Sequence, residues 1–137
     1  MSSTDDCPCG SGELFGRCCG PLLAGEREAA TAEELMRSRY SAYAVADMNY
    51  VWRTWHPRTR PQTLTPSDEV WTGLEILDVV AGAAGDEEGV VEFRAHHRGE
   101  RRSGTGAREE HKGIQHERSH FAVRAGRWFY VDGELFG

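Results

Sequence analysis

All four cysteines of the chain fall in one short run, Cys7-Pro8-Cys9-Gly10-Ser11-Gly12-Glu13-Leu14-Phe15-Gly16-Arg17-Cys18-Cys19. Written as C-x-C-x8-C-C, the run presents two close pairs of soft ligands across a glycine-rich turn, a donor set that suits tetrahedral thiolate coordination of Zn²⁺. Gly10 and Gly12 permit the positive φ values of a tight knuckle, and Ser11 can satisfy turn amides. Phe15 is the one large apolar residue at hand to cover the centre. Two other readings exist. Disulfides need an oxidising compartment, whereas residues 1–30 lack a basic-then-apolar leader, and adjacent Cys18 and Cys19 would bridge only with strain. Four unrelated thiols would have to cluster by chance. Coordination by Cys7, Cys9, Cys18 and Cys19 is therefore expected, with every ligand position filled by protein and none left for a catalytic water.

The length of 137 residues allows one core and a small appendage, here divided as a knuckle and linker over 1–25 and a second unit over 26–137. Gly20-Pro21-Leu-Leu-Ala-Gly25 reads as the linker. Thr31-Ala-Glu-Glu34 fits a capping box, and Leu35, Met36, Tyr40, Tyr43 and Ala44 then share a helical face. A second helix is expected over about Met48 to Trp55, stopped by Pro57.

From Trp71 the pattern turns to strands over 71–80, 89–97, 113–123 and 128–132, with Val91, Phe93 and Ala95 alternating against Glu92, Arg94 and His96. Residues 99–112 read as a long exposed loop. Short connections favour antiparallel pairing, and the sum is an α+β fold with helices covering one sheet face.

Two resemblances sharpen this. Cys-Pro-Cys-Gly-Ser-Gly followed by Cys-Cys-Gly resembles the SEC-C motif, a small zinc-binding module. The motif's usual Lys-Lys stretch is absent, with Glu13 to Arg17 in its place, and Cys19 stands where many members have His. The all-thiolate set also accepts iron. Further along, Leu-Met-Arg-Ser-Arg-Tyr-Ser-Ala-Tyr, Thr-Trp-His-Pro, Trp-Thr-Gly-Leu-Glu-Ile, His-Glu-Arg-Ser and Arg-Trp-Phe-Tyr-Val-Asp-Gly are similar to the YchJ family. That resemblance implies a nuclear-transport-factor-2-like (cystatin-like) cone, helices on a curved antiparallel sheet of about four strands, with an internal cavity.

The alternation of the third strand sends Glu117 and Ser119 inward with Phe121 and Val123, so Glu117 is the candidate acid or base of the cavity, with Arg39 or His56 as partner. His56 also fits a helix-end capping role. His96, His97, His111, His116 and His120 alternate across strand faces and a loop and are not expected to form a second metal site.

The net charge of −6 disfavours general nucleic-acid binding, although residues 91–127 carry 9 basic and 5 acidic groups. No apolar run is long enough for a membrane span, and a cytoplasmic protein is expected. Three functions are weighed. The first is a non-catalytic module that docks a protein through the knuckle or holds a small ligand in the cone. The second is a small isomerase- or dehydratase-type enzyme using Glu117. The third is an RNA- or ribosome-associated factor.

Overall fold

The computed structural model describes residues 1–66, 69–102 and 108–136. Helices α1 (Cys19–Leu23), α2 (Ala32–Ala44) and α3 (Met48–Arg53) precede strands β1 (Val70–Ala81), β2 (Glu88–Arg102), β3 (Arg108–Arg124) and β4 (Arg127–Phe136). The strands form one antiparallel sheet in the order β1-β2-β3-β4. The α+β class and the antiparallel four-strand sheet stand as read from the sequence.

Alternation places Val91, Phe93 and Ala95 of β2, with Phe121 of β3 and Trp128 of β4, on the face that α2 covers with Leu35, Met36 and Tyr40. Burying each large side chain there contributes about 1.5–3 kcal/mol. Register shifts between Trp71 and Gly73, Ile76 and Asp78, and His120 and Phe121 mark bulges, which bend strands and raise their twist. A smaller cluster of Leu22, Ala42, Tyr50 and Val51 joins α1, α2 and α3. The opposite sheet face is polar, with His96 2.6 Å from Glu75, His116 2.8 Å from Glu92, and Arg118 between Asp78 and Glu92.

The N-terminus of α2 is fixed twice. Thr31 Oγ1 accepts from the Glu34 amide at 3.1 Å, as the capping box requires, but the Glu34 carboxylate returns to the Ala30 amide at 2.9 Å and not to that of Thr31. It also meets Arg27 at 2.8 Å. Thr31→Ala is expected to cost about 1 kcal/mol, measured by urea denaturation. The Ala32 amide donates to the Gly82 carbonyl at 2.9 Å, where the chain leaves β1 with Gly82 at φ 78°. A Cβ built on Gly82 would lie 2.7 Å from that of Ala32, and one on Gly89 2.6 Å from the Gly82 Cα.

Three local expectations are corrected. Most of the segment read as a linker is helical: α1 begins at Cys19, runs to Leu23 and buries Leu22 to 2% exposure. Pro21 sits in the first turn, where its missing amide leaves no bond unmade. The expected loop over 99–112 is strand wherever it is described, with Gly99 opposite His111 and Arg102 opposite Arg108, and residues 103–107 lie outside the described set. Ile114, 56% exposed, lies on the polar outer face opposite His96, and from there toward the hairpin end no apolar alternation remains to signal a strand. Finally, α3 ends at Arg53. Trp55 already makes a parallel bridge to Tyr130, and the His56 amide donates to the Tyr130 carbonyl at 2.7 Å.

Candidate functional site

The knuckle is a small hairpin. The Phe15 amide donates to Asp5 at 2.8 Å, the Cys7 amide to Glu13 at 2.9 Å, and the Gly10 amide closes a turn on Cys7 at 3.2 Å with Pro8 at its second position. Gly10 and Gly12 have φ of 76° and 86°, conformations that side chains resist. The 3₁₀ turn Phe15–Arg17 then delivers Cys18, and α1 opens on Cys19.

The four sulfurs lie within 4.8 Å of one another. Cys9 and Cys18 are 3.6 Å apart and Cys18 and Cys19 3.9 Å. A tetrahedron of zinc–sulfur bonds near 2.3 Å has edges of about 3.8 Å, so the spacing fits a cation and far exceeds a disulfide bond. Cys9 and Cys19 are 0% and 1% exposed and belong to the main core, so the knuckle is built into the α2 face. The helix contributes groups that spacing along the sequence did not reveal. Ser41 Oγ is 3.6 Å from Cys7 Sγ, and Arg37, braced by Glu33 at 2.9 Å, donates to the Cys9 carbonyl at 2.8 Å. Ser11 Oγ lies 3.1 Å from Cys18 Sγ.

The four thiols perturb one another unequally. Hydrogen bonds from Cys19 and Cys9 hold Cys7 far below the usual thiol range. Cys19, as donor to Cys7 and Cys9 and buried besides, is held far above it, and burial pushes Cys18 up to about 11. Four thiolates in this space would need a cation to balance them, and the cluster could hold one.

Beneath α2 a cavity of about 300 Å³ opens between helix and sheet, walled by Met36, Tyr40, Tyr43, Trp71 and Phe93. Its polar groups are Arg39, Trp55, Gln115, Glu117, Ser119 and Tyr130. Glu117 is 8% exposed; Tyr130 Oη donates to it at 2.8 Å and Gln115 Nε2 at 3.3 Å. Arg39 shares the cavity without binding Glu117. Its Nη1 donates to the Val51 carbonyl and to Thr54 Oγ1, both at 2.7 Å, and its guanidinium lies 4.6 Å from the Tyr130 ring centre and 5.3 Å from that of Trp55. Burial lowers the Arg39 pKa, while burial and then the Glu117 charge raise that of Tyr130. Trp55 Nε1 and Ser119 Oγ are buried with no partner among the described residues.

His56 is not among the residues that line this cavity. Its Nδ1 accepts from the Arg58 amide at 3.0 Å, so it organises the turn after α3 and leaves the helix carbonyls alone, and its ring packs near Phe129. An accepting nitrogen is an unprotonated one, and partial burial followed by the charge of Arg58 lowers the His56 pKa in the same direction.

Two of the histidines come together with a carboxylate. His97 and His111 converge with Glu69, their donor atoms all within 4.8 Å, because a cross-strand register no linear spacing reveals brings them together.

Among the described residues no helix is long and apolar enough to cross a membrane. A family described as YchJ, middle NTF2-like domain, matches residues 31–133, and the SEC-C motif matches residues 4–21. A UPF0225 protein of Streptomyces coelicolor is 47% identical over 133 residues, covering 96% of this chain and 97% of its own. One from Geobacter sulfurreducens is 43% identical over 136 residues, covering 95% and 79%. The solution structure of a SEC-C motif containing protein from Rhodopseudomonas palustris superposes with a TM-score of 0.72 at 37% identity, over 96% of this chain and 98% of the other. A crystal structure of a SEC-C motif containing protein from Psychrobacter arcticus gives 0.70 at 25% identity, over 98% and 85%.

Proposed function

This chain belongs to the YchJ family of UPF0225 proteins, and from that premise we propose that it is a non-catalytic ligand-binding module whose cone is stapled by a structural zinc ion. Cys7, Cys9, Cys18 and Cys19 hold the ion, which supplies charge balance and cross-linking and no chemistry. Zinc is preferred over iron because closed tetrahedral thiolate sites are its usual structural form, and metal analysis of purified protein decides between them.

The observation that carries the ligand reading is the cavity itself, whose lining residues Trp55 and Ser119 each carry a buried polar atom with no partner among the described residues, the indole N–H and the hydroxyl. A buried polar atom left unpaired costs about 1–3 kcal/mol, and a guest toward which the Trp55 and Ser119 side chains turn recovers it. The wall chemistry selects a small, flat, mostly apolar molecule. It would bring a hydrogen-bond acceptor for Trp55 and Ser119 and a donor for Glu117. A primary aromatic amide has both, so benzamide is the first probe, with phenol and benzoate beside it. Saturable movement of the Trp55 indole N–H resonance on adding benzamide, lost in Ala95→Leu, is the expected result. No saturable shift with any of the three probes sinks the reading.

A protein partner at the knuckle would meet exposed Glu13, Leu14 and Arg17, since Cys7, Cys9 and Cys19 are buried. One observation favours a second reading, acid–base turnover: among the described residues no ion pair neutralises Glu117, and its carboxylate borders open space. In that case Glu117→Gln binds the cognate molecule and leaves it unchanged.

A further inference from the structure

The hairpin of β2 and β3 carries a second cluster, apart from the cysteines and from the cavity. His97 stands opposite Gly113 and Gly99 opposite His111, so the two imidazoles occupy diagonal positions and each faces a glycine. Glu69, immediately before β1, reaches both: its Oε2 lies 3.0 Å from His97 Nδ1 and its Oε1 2.9 Å from His111 Nε2. The glycines make this possible. A Cβ on Gly99 would lie 2.8 Å from Glu69 Oε2 and 2.9 Å from His111 Cε1, and one on Gly113 would lie 2.6 Å from His97 Cε1. All three side chains keep between 22% and 28% of their surface exposed, so an ion can reach them from solvent.

We propose that Glu69, His97 and His111 form a second metal site, separate from the four cysteines, that takes a borderline divalent transition ion through two imidazole nitrogens and one carboxylate. The donor set excludes the hard, all-oxygen preference of Mg²⁺ and Ca²⁺ and the soft preference of Cu⁺, and suits Zn²⁺, Co²⁺ and Ni²⁺. Three protein ligands leave at least one coordination position for water or an exogenous ligand, in contrast to the closed thiolate site. Binding exchanges the two imidazole–carboxylate contacts for metal–ligand bonds: a neutral ring moves its proton to the opposite nitrogen, and a charged ring releases one proton to solvent. His111 Nδ1 is buried without a partner among the described residues, so the ring's orientation serves its Nε2 edge. A carboxylate merely bridging two imidazoles is the competing account, and it predicts no second ion.

Co²⁺ separates the two sites on the intact chain, because thiolate coordination gives intense sulfur-to-metal charge-transfer bands and a nitrogen–oxygen site gives only weak ligand-field bands. The wild type is expected to bind two Co²⁺ ions per chain. His111→Gln and His97→Gln are expected to bind one, with the charge-transfer bands unchanged and the affinity for the second ion reduced at least about tenfold, the lower limit for losing a metal-site partner. Trp71, whose ring centre is 5.2 Å from that of His97, supplies an independent signal in the wild type: its fluorescence falls as the second ion binds. One ion per chain at saturation with Trp71 emission unaltered, or a second ion indifferent to both substitutions, overturns the site. Both results leave the zinc staple and the cavity ligand untouched, since neither uses these residues.

Discussion

Cys19→Ser is expected to lower stability by more than about 4 kcal/mol, in the range reached by loss of a metal site, and so to lower the melting temperature by about 10–20 °C in a domain of this length. The reason is position as much as ligation. Cys19 opens α1, is 1% exposed, and sits beside Leu22, which packs with Ala42, Tyr50 and Val51. A serine hydroxyl is a poor ligand for a soft site, so three thiolates are left to hold the cation while the apolar cluster around α1 loses its anchor. Chelation of the wild type should give a comparable fall that added Zn²⁺ reverses, whereas Zn²⁺ should not restore Cys19→Ser. A melting temperature unchanged by both chelator and substitution would show that the sulfurs pack as ordinary thiols.

Gly82→Ala should be nearly as damaging and for an unrelated reason. Its φ of 78° imposes about 1–2 kcal/mol of strain on any side chain. The added methyl would also meet the Ala32 Cβ at 2.7 Å and the Gly89 Cα at 3.3 Å, with no flexible side chain able to give way. Overpacking of that kind adds about 1–3 kcal/mol, for a total of about 2–5 kcal/mol. Gly126 is the internal control. It has φ 79° in the two-residue turn between β3 and β4, and open space where a Cβ would sit. Gly126→Ala should therefore cost only the strain. Equal destabilisation of the two variants in urea would show that the contact between the α2 terminus and the β1–β2 corner is looser than described.

What could be read in advance follows how far interacting residues stand apart along the chain. The cysteine cluster was legible because its ligands and its turn glycines are contiguous, and the β2 core because Val91, Phe93 and Ala95 alternate without interruption. Thr31 announced α2 through a hydroxyl three residues from its partner amide. Pro21 misled because a proline reads as a breaker unless it is known to occupy a first turn, and only burial of Leu22 reveals that turn. Glu117 followed from the alternation of β3, but its actual partners, Tyr130 and Gln115, depended on register and rotamer, and Arg39 was diverted to carbonyl and hydroxyl acceptors on and just after α3. The meeting of Glu69 with His97 and His111 across β2 and β3 had no linear trace, and of the two glycines that admit it Gly99 read as the start of a loop and Gly113 as the start of a strand.

The locality of the knuckle bears on how the protein is made. Its sulfurs are gathered from a few consecutive residues, whereas the sheet joins partners as distant as Trp71 with His97 and Glu88 with Ala122. Ring closure costs entropy that grows with the logarithm of the chain enclosed, and long-range pairing is correspondingly slow. An ion taken up by the nascent polypeptide would be seated before β3 and β4 had emerged from the ribosome. The first occupant of the site would then be set by what is free in the cell during synthesis, before any exchange on the mature protein.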